Sequence, residues 1–316
     1  MAKRSVADMF GAEGVETFLG LPKATPETLP SGTQAAVLGV PGVTPYKSVG
    51  NYCDGAPAAV RAAIVGDAPI RHHFDFDAGV ALAEGTLPAV DCGDLPFDDA
   101  DFEANRQRVR ASVGSILDAD AVPILIGGDD SLPIPFLQAY EGRGPLTILQ
   151  IDAHIDWRDE VQEERWGLSS GMRRASEMPH VERIIQVGIR STGSARQQER
   201  DDALAWGVHI VTGREIARHG IGQVLELIPS GASVVVCLDV DGLDPGIMPA
   251  ALARTPGGLS YWDVIELLDG AAAKGTLAGF EMAEFVPEQD IDGMGGIHAA
   301  RIIANVLRIA LHGAHA

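Results

Sequence analysis

The sequence predicts one three-layer α/β domain built on a mainly parallel sheet. Short runs of Val, Ile and Leu recur along the 316 residues, and longer segments with helical spacing of apolar residues separate them. Runs that are apolar at nearly every position are typical of strands covered on both faces, as in parallel sheets. Because strands and helices alternate without a shift to linker-like composition, we expect a single domain, at residues 34–316.

The first 33 residues are expected to form an N-terminal arm outside the core. They are polar and contain Pro22, Pro26 and Pro30. Proline clusters in polar sequence are typical of loops and turns.

Six segments are predicted as strands because they are short and largely apolar. In chain order they are AAVLGV (35–40), VPILIGG (122–128), LTILQID (146–152), RIIQVGIR (183–190), SVVVCLDVD (233–241) and LAGFEMAEF (277–285).

Three longer segments, residues 101–120, 260–275 and 296–313, are predicted as helices. In the second, Ser260 is a suitable N-cap and Asp263 lies in the first turn, where an acid is favourable. In the first, apolar residues recur at helical spacing and define one buried face. They are Phe102, Val109, Val113, Ile116 and Leu117.

The charge balance excludes some classes of partner. The chain has 24 basic and 44 acidic residues, a formal net charge of −20. Nucleic acids and anionic membranes are bound by cationic surfaces, so we expect neither as a partner. An acidic surface is compatible with cationic ligands, although solubility alone also accounts for it.

The cysteines and the N-terminus predict a cytoplasmic protein. The three cysteines, Cys53, Cys92 and Cys237, are far apart and form neither a disulfide framework nor a CxxC pattern. The N-terminus lacks the continuous apolar region of a signal peptide. No stretch is judged long and apolar enough to span a bilayer.

Acidic residues collect where predicted strands end. Asp152 ends LTILQID, and His154 and Asp156 follow it at every second position, so an extended backbone would aim all three the same way. In parallel α/β sheets, ligands bind beyond the carboxyl ends of the strands. The acids at the ends of the other strands are Asp129, Asp130, Asp239, Asp241, Glu281 and Glu284.

These acids predict a metal site. Neighbouring buried carboxylates are unfavourable without compensation, and Arg158 is the nearest basic residue. A polar loop would explain any one motif, but three motifs after separate strands favour a divalent cation. Aspartate oxygens with a histidine nitrogen suit Mn, Ni, Fe or Zn better than Ca, and the surplus of acids suits two ions.

Together these motifs resemble those of the ureohydrolase superfamily, which includes arginase, agmatinase, guanidinobutyrase and formiminoglutamase. The family pattern has GGDHS, DAHxD, S-x-D-x-D-x-x-D-P and a glutamate on the last strand. The counterparts here are Gly127–Ser131, Asp152–Asp156, Asp239–Pro245 and Glu281. Their order and spacing agree over nearly the whole predicted domain, and the agmatinase-like branch of guanidine and biguanide hydrolases is the most similar.

The resemblance implies roles for the matching residues. Asp152 and Asp239 correspond to carboxylates that bridge two metal ions. His154 and Asp241 correspond to ligands of one ion. Asp156 corresponds to a ligand of the other ion and is also expected to be catalytic.

The resemblance also implies the fold, the cofactor and the reaction. The fold is a three-layer α/β/α sandwich around an eight-stranded, mainly parallel sheet, in a homo- or hetero-oligomer, either a trimer or a hexamer. The cofactors are two divalent metal ions, Mn²⁺ or Ni²⁺. Glu281 corresponds to the acid that orients a guanidinium by paired hydrogen bonds, so it is expected to bind the substrate and take part in catalysis. Metal-bound hydroxide would attack the amidine carbon of a small guanidine-type substrate, releasing urea or a urea-like product and an amine.

Two positions depart from the family pattern. Asp130 replaces the histidine of GGDHS; as the expected metal ligand it makes the site harder and more negative. Ser170 precedes Gly171 where many relatives have His-Gly, and we expect it to contact the substrate. A serine is not by itself a base at neutral pH.

These departures leave three interpretations open. The first is an active hydrolase of a guanidino, biguanide or amidino C–N bond, with Asp130 as a metal ligand. The second is a non-catalytic or weakly active subunit of a hetero-oligomer, similar to metformin hydrolase, which Asp130 and Ser170 both favour. The third is a metal- or ligand-binding protein without catalysis. Intact bridging acids, Asp152 and Asp239, favour the first.

Overall fold

A central sheet of eight parallel strands organises the computed structural model, which describes residue 12 and residues 14–82, 87–193 and 195–314. The strand order is β4-β1-β5-β10-β9-β6-β7-β8, and every pairing in this sheet is parallel. A two-stranded antiparallel hairpin, β2-β3, lies outside it. The strands are β1 (Ala35–Gly39), β2 (Phe74–Asp75), β3 (Val80–Ala81), β4 (Ala89–Asp94), β5 (Val122–Ile126), β6 (Leu146–Ile151), β7 (Val181–Ile189), β8 (His209–Thr212), β9 (Ser233–Asp239) and β10 (Thr276–Ala283).

Helices cover both faces of the sheet, which gives the three predicted layers. The helices are α1 (Ala56–Ala63), α2 (Phe102–Asp118), α3 (Pro133–Gln138), α4 (Gly171–Ala175), α5 (Gln197–Trp206), α6 (Gly213–His219), α7 (Gly222–Leu227), α8 (Tyr261–Lys274) and α9 (Met294–His312). One core cluster joins the sheet to α1 and α6 to α9, and a second joins it to α2 to α5. The predicted α/β class is therefore confirmed.

All six predicted strands and all three predicted helices are present. Ser260 accepts a hydrogen bond from the main-chain N–H of Asp263, whose side chain bonds back, so the predicted cap of α8 is a full capping box. The sheet strands that were not predicted, β4 and β8, lie at its two edges. Edge strands are covered less completely, and both are short and carry polar residues, so they lack the continuous apolar signal.

Part of the segment expected as an N-terminal arm belongs to the core, which corrects that interpretation. Phe18, Leu19 and Leu21 are buried and pack in the core cluster that includes α1. The main-chain N–H of Phe18 also donates to the buried carboxylate of Asp91. These three apolar side chains hold the segment in the core although prolines lie nearby, because burying each side chain stabilises the fold by about 1.5–3 kcal/mol. Residues 1–11 and 13 lie outside the described residues, and the boundary at residue 33 stays a prediction.

One helix is long and apolar enough to cross a bilayer, so the expectation that no segment has this length and composition is wrong. Helix α9 has 19 residues and a mean hydropathy of 1.2 in its most apolar window. However, 61% of that window is buried inside the protein. A helix that packs against α1 and α8 needs this apolar surface for the core, so its composition is weak evidence for a membrane span.

Candidate metal centre

The acids of the predicted motifs come together at the carboxyl edge of four adjacent strands. The strands β5, β10, β9 and β6 are consecutive at the centre of the sheet. Their ends deliver the segments that carry Asp130, Glu284, Asp239 and Asp152. Neighbouring parallel strands end side by side, so residues distant in sequence become neighbours here.

Two glycines turn the chain out of β5. Gly127 has a φ of +47°, a conformation that favours glycine. A Cβ on Gly128 would lie 3.0 Å from the main-chain oxygen of Val40, so this segment passes close to the loop after β1. Asp129 then holds that loop by accepting a hydrogen bond from the Val43 N–H at 2.8 Å. Asp130, the next residue, faces the other acids.

The loop after β6 bends sharply around its ligand residues. Asp152 and His154 directly follow the strand, and Asp156 has a φ of +45°, which is uncommon for a residue with a side chain. The side-chain amide of Gln150 donates to Oδ2 of both Asp152 and Asp156, at 2.7 Å each. Backbone strain of this kind collects at functional sites, where the surrounding contacts maintain it.

Four acids and one histidine form two overlapping groups of metal-ligating atoms. In the first group, ligand atoms of Asp152, His154 and Asp241 lie within 4.8 Å of one another. In the second, the same holds for Asp130, Asp152 and Asp239. Asp152 belongs to both groups, whereas Asp239, the other residue predicted to bridge two ions, belongs to the second group only. Asp156 is in neither group, although it shares the Gln150 amide with Asp152.

Within the described residues, no lysine or arginine side chain forms an ion pair with these carboxylates. Burial raises the pKa of Asp130, Asp152 and Asp239 well above the usual value of an aspartate, and the charges of neighbouring acids raise it further. Within the described chain, His154 is the only base in an ion pair with any of these acids. Arg190 lies nearby but donates to main-chain carbonyls, including that of Asp241 at 2.6 Å. The acids therefore favour their protonated forms, and a bound cation would stabilise the charged carboxylates in their place.

His154 contacts two of the acids through the same nitrogen. Its Nδ1 lies 3.1 Å from Oδ2 of Asp241 and 3.5 Å from Oδ1 of Asp152. Burial by itself lowers the pKa of His154, but the hydrogen bond and the charge of Asp241 outweigh burial and raise it to about 9. A metal ion bound at this nitrogen would compete with the proton that the raised pKa favours.

A cavity of about 210 Å³ opens onto these acids. Its acidic wall consists of Asp130, Asp156, Asp239, Asp241 and Glu284, together with His154. Glu284 follows β10 with a φ of +65°, and its Oε1 accepts hydrogen bonds from the Tyr52 hydroxyl at 2.5 Å and the Asp130 N–H at 2.9 Å. A larger cavity, about 590 Å³, lies between the β2-β3 hairpin and α9 and includes none of these acids.

Glu281 does not line this cavity, which gives no support to its expected role at the substrate. It lies within β10, three residues before Glu284, and is fully buried in register with Cys237 of β9. The acid that reaches the cavity is Glu284, because β10 ends at Ala283 and only the following residue projects beyond the sheet. Burial raises the pKa of Glu281 to about 8.

Ser170 does not line the cavity either. Its side chain is fully buried, whereas the preceding Leu168 and Ser169 form part of the cavity wall. The three residues form a short 3₁₀ turn, in which successive side chains point in different directions. The position of Ser170 therefore gives no support to the expected substrate contact.

Several cavity residues carry little signal in the sequence. Arg158 lies two residues after the DAHID motif, and Leu252 and Ala253 come from a loop without a recognisable pattern. Glu284 is among the acids that the sequence places near strand ends, but the predicted strand 277–285 includes it, whereas β10 ends at Ala283. The loop residues become neighbours of the acids only through the tertiary fold.

A family model described as "Arginase family" matches residues 33–308. The chain belongs to the arginase family. It is thus a member of the ureohydrolase superfamily, whose enzymes hydrolyse amidino and guanidino C–N bonds.

Arginase-family relatives match most of the chain. Proclavaminate amidinohydrolase of Streptomyces clavuligerus is 28% identical, with 93% of this chain and 92% of the relative covered. Arginase of Glycine max is 30% identical, with 80% of each chain covered. The crystal structure of a hypothetical agmatinase from Burkholderia thailandensis superimposes with a TM-score of 0.79 at 25% identity, covering 97% of this chain and 95% of that one.

The residues present fit the metal centre that arginase-family enzymes use, a dinuclear divalent site that is typically manganese. The donors are buried aspartates and one imidazole, the chemistry that such ions bind. Asp152 could serve two ions because it belongs to both groups. An ion would also relieve the repulsion that raises the pKa values of these carboxyls.

Proposed function

We propose that this arginase-family protein hydrolyses a guanidino, biguanide or amidino C–N bond with two divalent metal ions, Mn²⁺ or Ni²⁺. The observation that carries the proposal is the pair of ligand groups that share Asp152 within a buried, uncompensated acidic site. One ion would take Asp152, His154 and Asp241, and the other Asp130, Asp152 and Asp239. Asp156, at the cavity wall, would support the second ion.

The proposed reaction adds water to the amidino carbon and breaks one C–N bond. When bound, the ions supply Lewis-acid polarisation and lower the pKa of water. A monosubstituted guanidinium and one water give urea and one alkylammonium ion, so atoms and charge balance. For a biguanide, the corresponding product is urea-like.

Glu284 would hold the guanidinium in this reaction. A carboxylate matches the planar guanidinium through two parallel hydrogen bonds. Tyr52 and the Asp130 N–H both bind Oε1, and these contacts fix the orientation of the carboxylate at the cavity wall. This assignment replaces the one expected for Glu281.

Arg158 would influence which charge the substrate can carry at the end away from its guanidinium group. It lines the cavity, its Nη2 donates to the main-chain oxygen of Gly193 at 3.0 Å, and no ion pair involves it within the described residues. A guanidinium at this position would repel a second positive charge and attract a carboxylate. We expect a substrate whose far end is neutral or anionic.

The cheapest test of the proposal is metal content followed by a substrate panel. The protein purified alone should contain about two ions per chain and release urea from at least one guanidine. 4-Guanidinobutyrate and agmatine have similar lengths and opposite distal charges, so their comparison tests Arg158. An Arg158→Met variant should lose the preference between them. Absence of both metal and urea release would contradict the proposal.

A hetero-oligomeric role is the second candidate, because Asp130 makes one ligand group entirely carboxylate. In that case, metal binding or urea release would require a paralogous subunit. Asp130→Ala should empty one metal position if Asp130 is a ligand, and unchanged stoichiometry would show that it is not. The trimeric or hexameric assembly and the cytoplasmic location stay predictions, and light scattering of the purified protein would test the former.

A further inference from the structure

A row of buried polar side chains crosses the sheet directly beneath the acids. Gln186 of β7, Gln150 of β6, Cys237 of β9 and Glu281 of β10 are register partners on adjacent strands. All four are at most 1% exposed. Asp152 and Asp239 follow two residues after Gln150 and Cys237, so each projects from the same side of its strand as the polar residue below it.

Gln150 contacts the ligand loop directly. Its single amide nitrogen donates one hydrogen bond to Asp152 and one to Asp156, both at 2.7 Å. A primary amide has two N–H donors, and both are used here on carboxylates. The two acids would otherwise repel one another in a buried environment. Gln150 thus holds them together at a fixed separation.

Gln186 determines which way the Gln150 amide faces. The Gln186 nitrogen donates to the main-chain oxygen of Ile155 at 2.8 Å, and that oxygen can only accept. The same nitrogen lies 2.6 Å from Oε1 of Gln150. Because Gln186 presents its donors on this side, Gln150 must present its oxygen to Gln186 and its nitrogen to the acids.

The amide is neutral, and this property distinguishes it from a basic residue. A lysine at position 150 could also donate to both carboxylates, but its charge would neutralise part of the site and oppose binding of a cation. Gln150 supplies donors without charge, so the acids keep the negative charge that a metal requires. Ile155 lies between His154 and Asp156, so the Gln186 contact also supports the strained part of the loop.

We propose that Gln150, oriented by Gln186, is a positioning residue that pre-organises Asp152 and Asp156 for metal without neutralising them. The inference rests on the proposed metal centre and concerns residues that no motif of the chain includes. Amides and carboxylates that orient metal ligands commonly change metal affinity by about 10- to 100-fold when they are removed.

The test is the dissociation constant of Mn²⁺, measured by titration calorimetry on the metal-free protein. Gln150→Met keeps the length of the side chain and removes both donors, and we expect Mn²⁺ to bind about 10- to 100-fold more weakly. Gln186→Met leaves Gln150 in place but frees its amide to rotate, and we expect a weaker effect in the same direction. If Gln150→Met does not fold, the Mn²⁺ affinity of Gln186→Met tests the inference in its place.

Asn305→Leu is the matched control. Asn305 is another buried amide, and it bonds to Tyr261 and to the main chain of α9. Its replacement should lower the melting temperature and leave the Mn²⁺ dissociation constant unchanged. Unchanged Mn²⁺ affinity in folded Gln150→Met and Gln186→Met variants would overturn the inference. Absence of Mn²⁺ and Ni²⁺ binding by the unmodified protein would instead contradict the metal centre itself.

Discussion

Two groups of acids lie on the same sheet and differ in how their charge is balanced. At the β4 edge, Arg61 contacts both oxygens of Asp91 at 2.7 and 2.9 Å and also binds Asp94. At the centre, the carboxylates around Asp152 have no lysine or arginine partner in the described part of the chain. Arg61 balances the charge of the first cluster within the fold, whereas charged carboxylates in the second cluster require a cation from outside the chain.

The difference separates a structural ion pair from a ligand site. The main-chain N–H groups of Phe18 and Gly93 also donate to Asp91, so that carboxylate has several internal partners. The central acids instead have raised pKa values, caused first by burial and then by one another. Burial of acids is therefore not by itself evidence of function, and the absence of an internal cation is the informative feature.

The largest expected effect is that of Asp152→Asn, which removes the carboxylate shared by both ligand groups. We expect loss of metal at both positions and a fall in urea release of at least about 10³-fold. Metal analysis and a urea assay measure the two quantities. Asp91→Asn is the control in the other cluster: it should keep its metal and lose only stability. Full metal content in Asp152→Asn would contradict the shared role.

The second-largest expected effect is that of Arg61→Met, which removes the cation from the cluster of Asp91 and Asp94. It leaves Asp91 buried without its main partner, so we expect a loss of about 3–5 kcal/mol in the free energy of unfolding. Denaturant titration measures it, and the Mn²⁺ dissociation constant should not change. Arg110→Met removes a largely exposed pair with Glu141 and should cost about 0–1 kcal/mol. Equal effects of the two substitutions would show that the Arg61 cluster is not specially stabilising.

The third prediction concerns pH and metal removal. The folded pKa values of Asp130, Asp152 and Asp239 lie above their unfolded values, and burial raises that of Glu284 to about 8. Groups of this kind stabilise the metal-free fold below the unfolded pKa, and the contribution is lost as the pH rises through the folded pKa.

We therefore expect the melting temperature of the metal-free protein to fall between about pH 5 and about pH 8. The increase caused by Mn²⁺ should grow over the same range, because metal binding displaces these protons. Differential scanning calorimetry with and without Mn²⁺ measures both. In Asp152→Asn the increase should be small at every pH. An increase that is independent of pH in the unmodified protein would contradict the assignment of these acids as ligands.

The smallest expected effect is that of Ser170→Ala. Because Ser170 does not line the cavity, kcat/KM should change by less than about threefold, which corresponds to about 0.6 kcal/mol. Glu284→Gln is the contrasting variant and should lower kcat/KM by at least about tenfold. Steady-state kinetics on one guanidine substrate compares them. A larger loss in Ser170→Ala than in Glu284→Gln would reverse the two assignments.

Local sequence signals predict the α/β class and most of the acids that meet at the candidate metal centre. Continuous apolar runs predict buried parallel strands, and Asp or His at every second position after a strand predicts convergent ligands. Such signals are local, so they survive without knowledge of the fold. Asp130, whose ligand role the family resemblance implies, lies in the second group.

Which acid reaches the cavity depends on the packed fold and not on the local sequence. Glu281 and Glu284 are three residues apart on one segment, and the end of β10 at Ala283 separates a buried acid from a cavity acid. The Gln150–Gln186 contact and the core position of Phe18 also depend on neighbours distant in sequence. Strand ends, register and side-chain partners are set by packing between elements, and no single stretch of the chain contains that information.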